Sequence, residues 1–330
     1  MLKGKKLLDE IKGFKIRLAV FGLGYVGLPI AILFAKAGFR VVGVDVREEH
    51  VEKLKRGLVP WREEGLKKLL AETLKSGRLE LTVNGDYAGE TCSVFVAAVQ
   101  TPVGKDGKPD LSFVTSVCQT FSKHLGEGGK FLVIESTLPP GSSKRFLVPL
   151  IERKTGLKCG VDFWYAYCPE RVFPGRLIEE YLNNPSIIGV LDEFSGELAL
   201  ALYGNVKKGG LYLTSVEVAE VVKVVENTFR DVNIALANEV ALICEQLGVD
   251  VAEVIRLANT HPRVSLHRPG CGVGGACLPK DPLLLLHPVK KKLKAPSSVL
   301  VSARRINDYM PLHTVELLCN LARSGGNVLV

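Results

Sequence analysis

Methionine, tryptophan and glutamine are scarce in this chain of 330 residues, which holds two Met, two Trp and three Gln beside abundant Lys and Glu. Few side chains are thermolabile, a balance that suits a hot habitat. Long apolar runs are missing as well: hydrophobic residues make up 47% of the chain, yet no stretch of them is long enough to span a bilayer, which argues against a membrane partner. No charged-then-apolar leader with a small-residue cleavage site opens the sequence, and we expect a cytoplasmic protein. There is no CxxC pair. The eight cysteines, Cys92, Cys118, Cys159, Cys168, Cys244, Cys271, Cys277 and Cys319, are scattered, so reduced thiols are expected rather than a disulfide framework or a metal site. The basic residues lack aromatic interleaving. The net charge of +8 is spread along solvated helix faces such as Lys53 to Arg56, which argues against nucleic acid and equally serves to attract an anionic nucleotide or cofactor.

The length allows two to three domains. In the first, Ile16-Arg-Leu-Ala-Val-Phe21 is a short apolar run of strand type that leads into Gly22-Leu-Gly24-Tyr-Val-Gly27-Leu-Pro29 and then an apolar helical stretch ending at Gly38. This strand, glycine loop and helix order supplies the context that a bare glycine motif lacks. Gly22 allows the tight turn, Gly24 lets the backbone approach a pyrophosphate, and Gly27 permits close packing of helix on strand. The next strand, Arg40 to Asp45, ends in an acid placed to accept from a ribose 2′-hydroxyl and to repel a 2′-phosphate. NAD is therefore expected over NADP, with Arg47 nearby as the feature that would favour the reverse.

Further strands are expected at Ser93 to Val99, Phe131 to Glu135, Phe163 to Tyr167 and Ser186 to Val190, in a parallel sheet wound on both faces. Ligands of such sheets sit beyond the carboxyl ends of strands. Three polar clusters occur there: Gln100-Thr101-Pro102, Glu135-Ser136-Thr137 running to Gly141, and Cys168-Pro-Glu170-Arg171 running to Gly175. Each is also what ordinary strand-to-helix turns use.

Thr214 with Glu217 fits a capping box and Gly248 a C-terminal stop, which predicts one helix of about 33 residues, roughly 50 Å long. So long a helix calls for a partner subunit or a further domain to pack on it. Lys223 and Asn227 project from one face of it, with Asp231 a turn further on, and Lys223 is flanked by valines at 221, 222, 224 and 225. Beyond it, Pro269-Gly-Cys271-Gly-Val-Gly-Gly-Ala-Cys277-Leu-Pro-Lys280-Asp281 has a backbone that can approach a ligand closely. A thiol becomes nucleophilic beside a cation or oriented amides, and Cys277, with Lys280 and Asp281 just after it, is the candidate nucleophile. Cys271 could be an inert neighbour or an oxidation partner. His261 and His267 precede the loop and read as hydrogen-bonding residues rather than metal ligands. Hydride transfer alone needs no nucleophile, so a poised thiol beside a dinucleotide loop implies an oxidation that runs past the aldehyde to the acid.

The segments GLGYVGLP, TP, ESTLPPG, CPERVFPGR, KVVENTFRDVNIALANE, THPRV and PGCGVGGACLPKD, in this order, resemble the UDP-glucose/GDP-mannose dehydrogenase family, and CPER with HPRV favours its N-acetylhexosamine branch. Ala276 stands where that branch carries His, and Cys271 where it carries Pro. The resemblance implies four-electron oxidation of C6 of a UDP-sugar to the uronate with two NAD, UDP-N-acetyl-D-mannosamine being the expected substrate and UDP-glucose or UDP-N-acetylglucosamine the alternatives. It implies that Cys277 holds thiohemiacetal and thioester and that Lys223 and Asn227 stabilise the oxyanion, while Asp281, Glu170 and Thr137 handle water. The cofactor set it implies is Gly22, Leu23, Gly24, Tyr25, Val26, Asp45, Arg47, Thr101, Pro102, Thr137, Cys277 and Lys280. For the sugar it implies Glu170, Arg171, Lys223, Asn227, Arg230, His261, Arg263 and Gly274, Arg263 reaching the sugar of a neighbouring subunit.

The expected architecture is α/β: a doubly wound Rossmann-type sheet over 1–212 and an all-helical central domain over 213–324 that forms a homodimer through the long helix. In the family a third, UDP-gripping domain follows, and 325–330 reads as its first strand, so a third domain that is truncated or completed by a separate chain is expected, with weak or absent turnover. An ordinary two-electron 3-hydroxyacid dehydrogenase would leave Cys277 to Asp281 without a task. An inactive NAD-binding paralogue is the non-enzyme alternative.

Overall fold

The computed structural model describes residues 2–104, 107–289, 292–293 and 298–322. The segment 325–330, expected as a strand, lies outside them. The chain divides into two compact units, the first ending at Lys223 and the second beginning at Val224.

The first unit alternates strand and helix. Helix α1 (Leu2–Lys12) precedes β1 (Arg17–Phe21), α2 (Gly27–Ala37), β2 (Arg40–Val44), α3 (Glu48–Lys55), α4 (Leu66–Lys75), β3 (Leu79–Thr82), α5 (Gly85–Thr91) and β4 (Val94–Ala97). Then come α6 (Ser112–Lys123), β5 (Phe131–Ile134), α7 (Val148–Thr155), β6 (Trp164–Tyr167), α8 (Leu177–Asn183), β7 (Ser186–Val190), α9 (Glu193–Gly204) and β8 (Leu211–Ser215). The strands form one eight-stranded sheet in the order β3-β2-β1-β4-β5-β6-β7-β8. The order reverses between β1 and β4, which is where sheets of this kind bind ligands.

Strand residues alternate between two buried clusters because successive side chains point to opposite faces. Leu18 and Val20 of β1 join the cluster beneath α2 and α9, while Ala19 and Phe21 join the one beneath α6 and α7. Both faces are thus covered, which is why the central strands read as unbroken apolar runs. Burying a side chain such as Phe34 or Phe121 fully contributes about 1.5–3 kcal/mol.

The sheet differs from the expected one in two further strands, β3 and β8, and in the direction of one pairing. β7 runs antiparallel to β6, after which β8 is again parallel to β7.

Helix α10 (Val216–Leu247, 32 residues) matches the expected long helix, but its cap is not the expected one. Thr214 belongs to β8, opposite Gly189, and Ser215 Oγ accepts from Val218 N at 3.3 Å. The first unit runs on past residue 212 because β8 completes its sheet and Val216 and Ala219 of α10 are buried in its core. The second unit holds the rest of α10 with α11 (Val251–Ala258), α12 (Asp281–Leu286) and α13 (Val299–Leu321). Among the described residues no helix is long and apolar enough to cross a membrane, and no group of three or more His, Cys, Asp or Glu side chains could hold a metal ion.

Candidate active site

The glycine loop turns out of β1 at the switch point. Gly22 has φ +89°, and a Cβ on Gly27 would lie 1.8 Å from Gly22 O, so the helix can pack this close only without a side chain. A Cβ on Gly24, in contrast, would meet nothing within 4 Å: the backbone there faces open space of the kind a pyrophosphate fills. Val26, at the start of α2, makes no side-chain cap, leaving the helix N-terminus to an anion. These features fit a dinucleotide.

Asp45 stands just past the end of β2, buried. Its Oδ2 accepts from Leu23 N at 3.0 Å and Arg47 Nη2 at 3.1 Å, its Oδ1 from Arg47 N and Nε, both at 3.0 Å. Burial pushes its carboxyl pKa up, but the hydrogen bonds from Arg47 and Leu23 outweigh that and hold it below its ordinary value. His50 Nε2 donates to Leu23 O at 2.8 Å; the carbonyl can only accept, which sets the ring tautomer.

Thr101 and Thr137 are buried beyond the ends of β4 and β5, and Pro102 opens the loop whose Asp110 N returns to Pro102 O at 2.8 Å. The loop after β5 is held by α10: Glu220 Oε2 accepts from Gly141 N at 2.5 Å and Oε1 from Ser143 N at 2.8 Å. Beyond β6, Glu170 Oε1 accepts from Lys223 Nζ at 3.1 Å, with side-chain exposures of 13% and 6%. The expected apolar surroundings of Lys223 therefore include a carboxylate. Arg171 Nη1 donates to Pro185 O at 2.7 Å.

Glu135, noted in the sequence only as part of a turn cluster, is fully buried behind this loop. Its Oε1 accepts from Tyr203 OH at 2.7 Å and Tyr181 OH at 2.9 Å. Burial pushes its carboxyl up to about 7, against the opposing pull of Lys207 and the two hydroxyls. Lys207 Nζ sits 3.2 Å above the Tyr181 ring, and burial also pushes the Cys168 thiol up to about 12.

In the second unit Lys280 N and Asp281 N donate to Cys277 O at 3.0 and 2.9 Å, so the thiol stands on the turn that opens α12. Cys277 and Cys271 are both exposed. Asp281 is buried and its Oδ2 accepts from Asn227 Nδ2 at 2.5 Å. Lys280 Nζ lies 3.9 Å from Asp281 Oδ1. The glycine segment is anchored by Asn238, whose Oδ1 accepts from Gly270 N at 2.9 Å and whose Nδ2 donates to Asn307 Oδ1 at 2.9 Å. Asp231 is not solvent-facing: it is buried and paired with Arg304 at 2.5 Å. Arg230 is half-buried, while His261, Arg263 and Gly274 are exposed.

A cradle for a nucleotide at the switch point of a doubly wound sheet, followed by a helical unit on a long spine, defines a nicotinamide-dependent dehydrogenase. Residues 16–207 match the NAD binding domain of the UDP-glucose/GDP-mannose dehydrogenase family and residues 217–309 its central domain. The chain belongs to that family, and its cofactor is NAD. It is 47% identical over 304 residues to the UDP-N-acetyl-D-mannosamine dehydrogenase of Pyrococcus horikoshii, covering 92% of this chain and 71% of that protein. The solved structure of the UDP-D-ManNAc dehydrogenase from Pyrococcus horikoshii superposes with a TM-score of 0.87 at 46% identity, covering 92% of this chain and 71% of that one. A UDP-glucose dehydrogenase from the hyperthermophilic archaeon Pyrobaculum islandicum superposes at 0.85 with 32% identity, covering 93% of this chain and 71% of that one.

Proposed function

We propose that this protein oxidises C6 of UDP-N-acetyl-D-mannosamine from alcohol to carboxylate, with Cys277 carrying the intermediates. Its relatives' names supply the substrate class. The observation that carries the thiol step is the turn at the start of α12, where an exposed Cys277 is followed three residues later by Lys280 and then by a buried Asp281 bonded to Asn227.

Bound NAD supplies hydride acceptance, two equivalents for each sugar. The C6 alcohol first gives up a hydride from carbon and a proton from oxygen, leaving the aldehyde; the Cys277 sulfur then adds to it, forming an S–C bond while the thiol proton passes to the carbonyl oxygen. Loss of the C6 hydride, together with the hydroxyl proton, from this thiohemiacetal leaves a thioester. Water then attacks C6, the S–C bond breaks, the thiol regains a proton from that water, and the uronate leaves with release of the second. Lys223 and Asn227 donate to the oxygen that bears the developing charge, and Asp281, Glu170 and Thr137 orient the water.

The same reading gives residues 1–212 to NAD and 213–324 to the thiol and a homodimer contact along α10, whose Val218, Val221, Val225 and Phe229 are exposed; the cytoplasm is its compartment. Incubation with NAD and a panel of UDP-sugars tests it. Two NADH per UDP-N-acetyl-D-mannosamine, with uronate formed, is the expected result. One NADH per sugar, or none with any UDP-sugar even when a C-terminal UDP-binding domain is supplied alongside, overturns it.

A further inference from the structure

Glu63 occupies a position that neither the cradle nor the thiol chemistry explains. It lies between α3 and α4, and its Oε2 accepts from Tyr25 OH at 2.8 Å and from Gly175 N at 3.1 Å. Gly175 N is shared with Tyr25 OH at 2.8 Å, and Glu63 Oε1 accepts from Ile178 N at 3.4 Å, in the first turn of α8. One carboxylate therefore joins the glycine loop, which carries Tyr25, to the loop beyond β6 that begins with Glu170 and Arg171. The attachment is stiffened from the side. Trp61 packs against Tyr25 at 5.8 Å between ring centres and against His50 at 6.2 Å, and His50 in turn holds Leu23 O. Gly175 has φ +88° and open space where a Cβ would stand, while its neighbours are tied to α8 by Phe173 N donating to Glu180 Oε2 at 2.7 Å.

We propose that Glu63 is a latch coupling the two loops: it passes occupancy of the glycine loop by the nicotinamide nucleotide on to residues 172–178, and so prepares the sugar loop for its substrate. Tyr25 sits where the nucleotide must press, two residues from Asp45's partner Leu23. Ordering the glycine loop fixes the phenol, the phenol fixes the carboxylate, and the carboxylate holds two amides of the other loop. Coupling of this kind is reciprocal, so a sugar on residues 170–171 tightens the nucleotide by the same factor. Glu63 is a positioning residue in this scheme, touching neither reactant.

The sugar half of the proposal rests on the function proposed above; the test does not. Hydrogen exchange of the full chain is followed by mass spectrometry with and without NADH, in wild type, Glu63→Ala and Glu63→Leu, which leave no acceptor for Tyr25 OH and Gly175 N. NADH should slow exchange of peptides containing Gly175 and Ile178 by roughly fivefold or more in wild type. Both variants should bind NADH and show no such slowing. Slowing of unchanged size in the variants, or none in wild type, overturns the latch. So does loss of NADH binding in both variants, which would make Glu63 part of the cradle rather than a link. A protein that shows the coupling yet oxidises no UDP-sugar sinks the substrate assignment and leaves the latch standing.

Discussion

Lys223 Nζ lies 3.1 Å from Glu170 Oε1, and both side chains are almost wholly withdrawn from water. Removing one member of such a pair strands the other charge, at a cost of about 3–5 kcal/mol. Lys223→Ala is therefore expected to lose stability as well as rate, with kcat down roughly 10²–10³-fold if the ammonium serves the oxyanion. The double variant Lys223→Met/Glu170→Gln separates the two effects: denaturant melts should recover most of the stability while kcat stays low. Recovery of both would remove Lys223 from the chemistry.

Cys277→Ser is expected to stop the reaction short of the acid, because a serine hydroxyl is a far weaker nucleophile and its ester a poorer acyl donor. Uronate measured after overnight incubation should be near background, while thermal melts stay close to wild type, since the side chain is exposed. Wild-type yields of uronate from this variant would remove the thiol from the mechanism.

The parts of this fold legible in the sequence are those whose signal is local. β1, β2, β4 and β5 are buried apolar runs, and the glycine loop and Asp45 follow from position along the chain. β3 and β8 were not expected because each mixes exposed and covered residues, as edge strands do. Helix α1 was missed although its buried Gly4, Leu7 and Ile11 keep helical spacing, because a glycine interrupts the apolar stripe. The valines around Lys223 announced burial, but its partner Glu170 lies 53 residues away, and the hydroxyls on Glu135 come from 46 and 68 residues further on. Glu63 sits in Arg62-Glu63-Glu64, a triplet that reads as a solvated turn. No spacing rule connects such residues before the chain folds.

Asp45 should govern the choice of nucleotide. Hydrogen bonds from Arg47 and Leu23, prevailing over burial, hold its pKa below the ordinary value, so it repels a 2′-phosphate across the whole neutral range. A depressed pKa contributes stability above the unfolded value of about 4, lost only as pH falls through the lower folded value. Asp45 accordingly stays charged from about pH 5 to 9, and NAD preference there should rise only as the 2′-phosphate of NADP gains its second charge, at about pH 6. Asp45→Asn gives up a charged acceptor worth about 1.5–3 kcal/mol, and the NAD to NADP ratio of binding constants should fall roughly ten- to a hundredfold. An unchanged ratio in equilibrium titrations would mean that Arg47, rather than Asp45, meets the ribose.

Glu135 makes a prediction of opposite sign. Its carboxyl is pushed by burial up to about 7, so below the ordinary carboxylate value it is protonated in both folded and unfolded chains and favours neither. Between that value and about 7 the unfolded chain has released its proton and the folded one has not. The folded state then binds more protons, and stability falls as pH rises through this window before levelling off. Gln at this position keeps an oxygen for Tyr181 and Tyr203 but cannot ionise. Glu135→Gln should therefore lose the slope and exceed wild type in denaturant melts at about pH 8, by on the order of 2–3 kcal/mol, with little difference at about pH 4. Lys207, poised over the Tyr181 ring, faces the same carboxylate and softens the slope without reversing it, because burial outweighs its pull on Glu135. Parallel pH profiles for the two proteins would show that Glu135 is ionised in the fold, and that Lys207 and the two hydroxyls hold its charge.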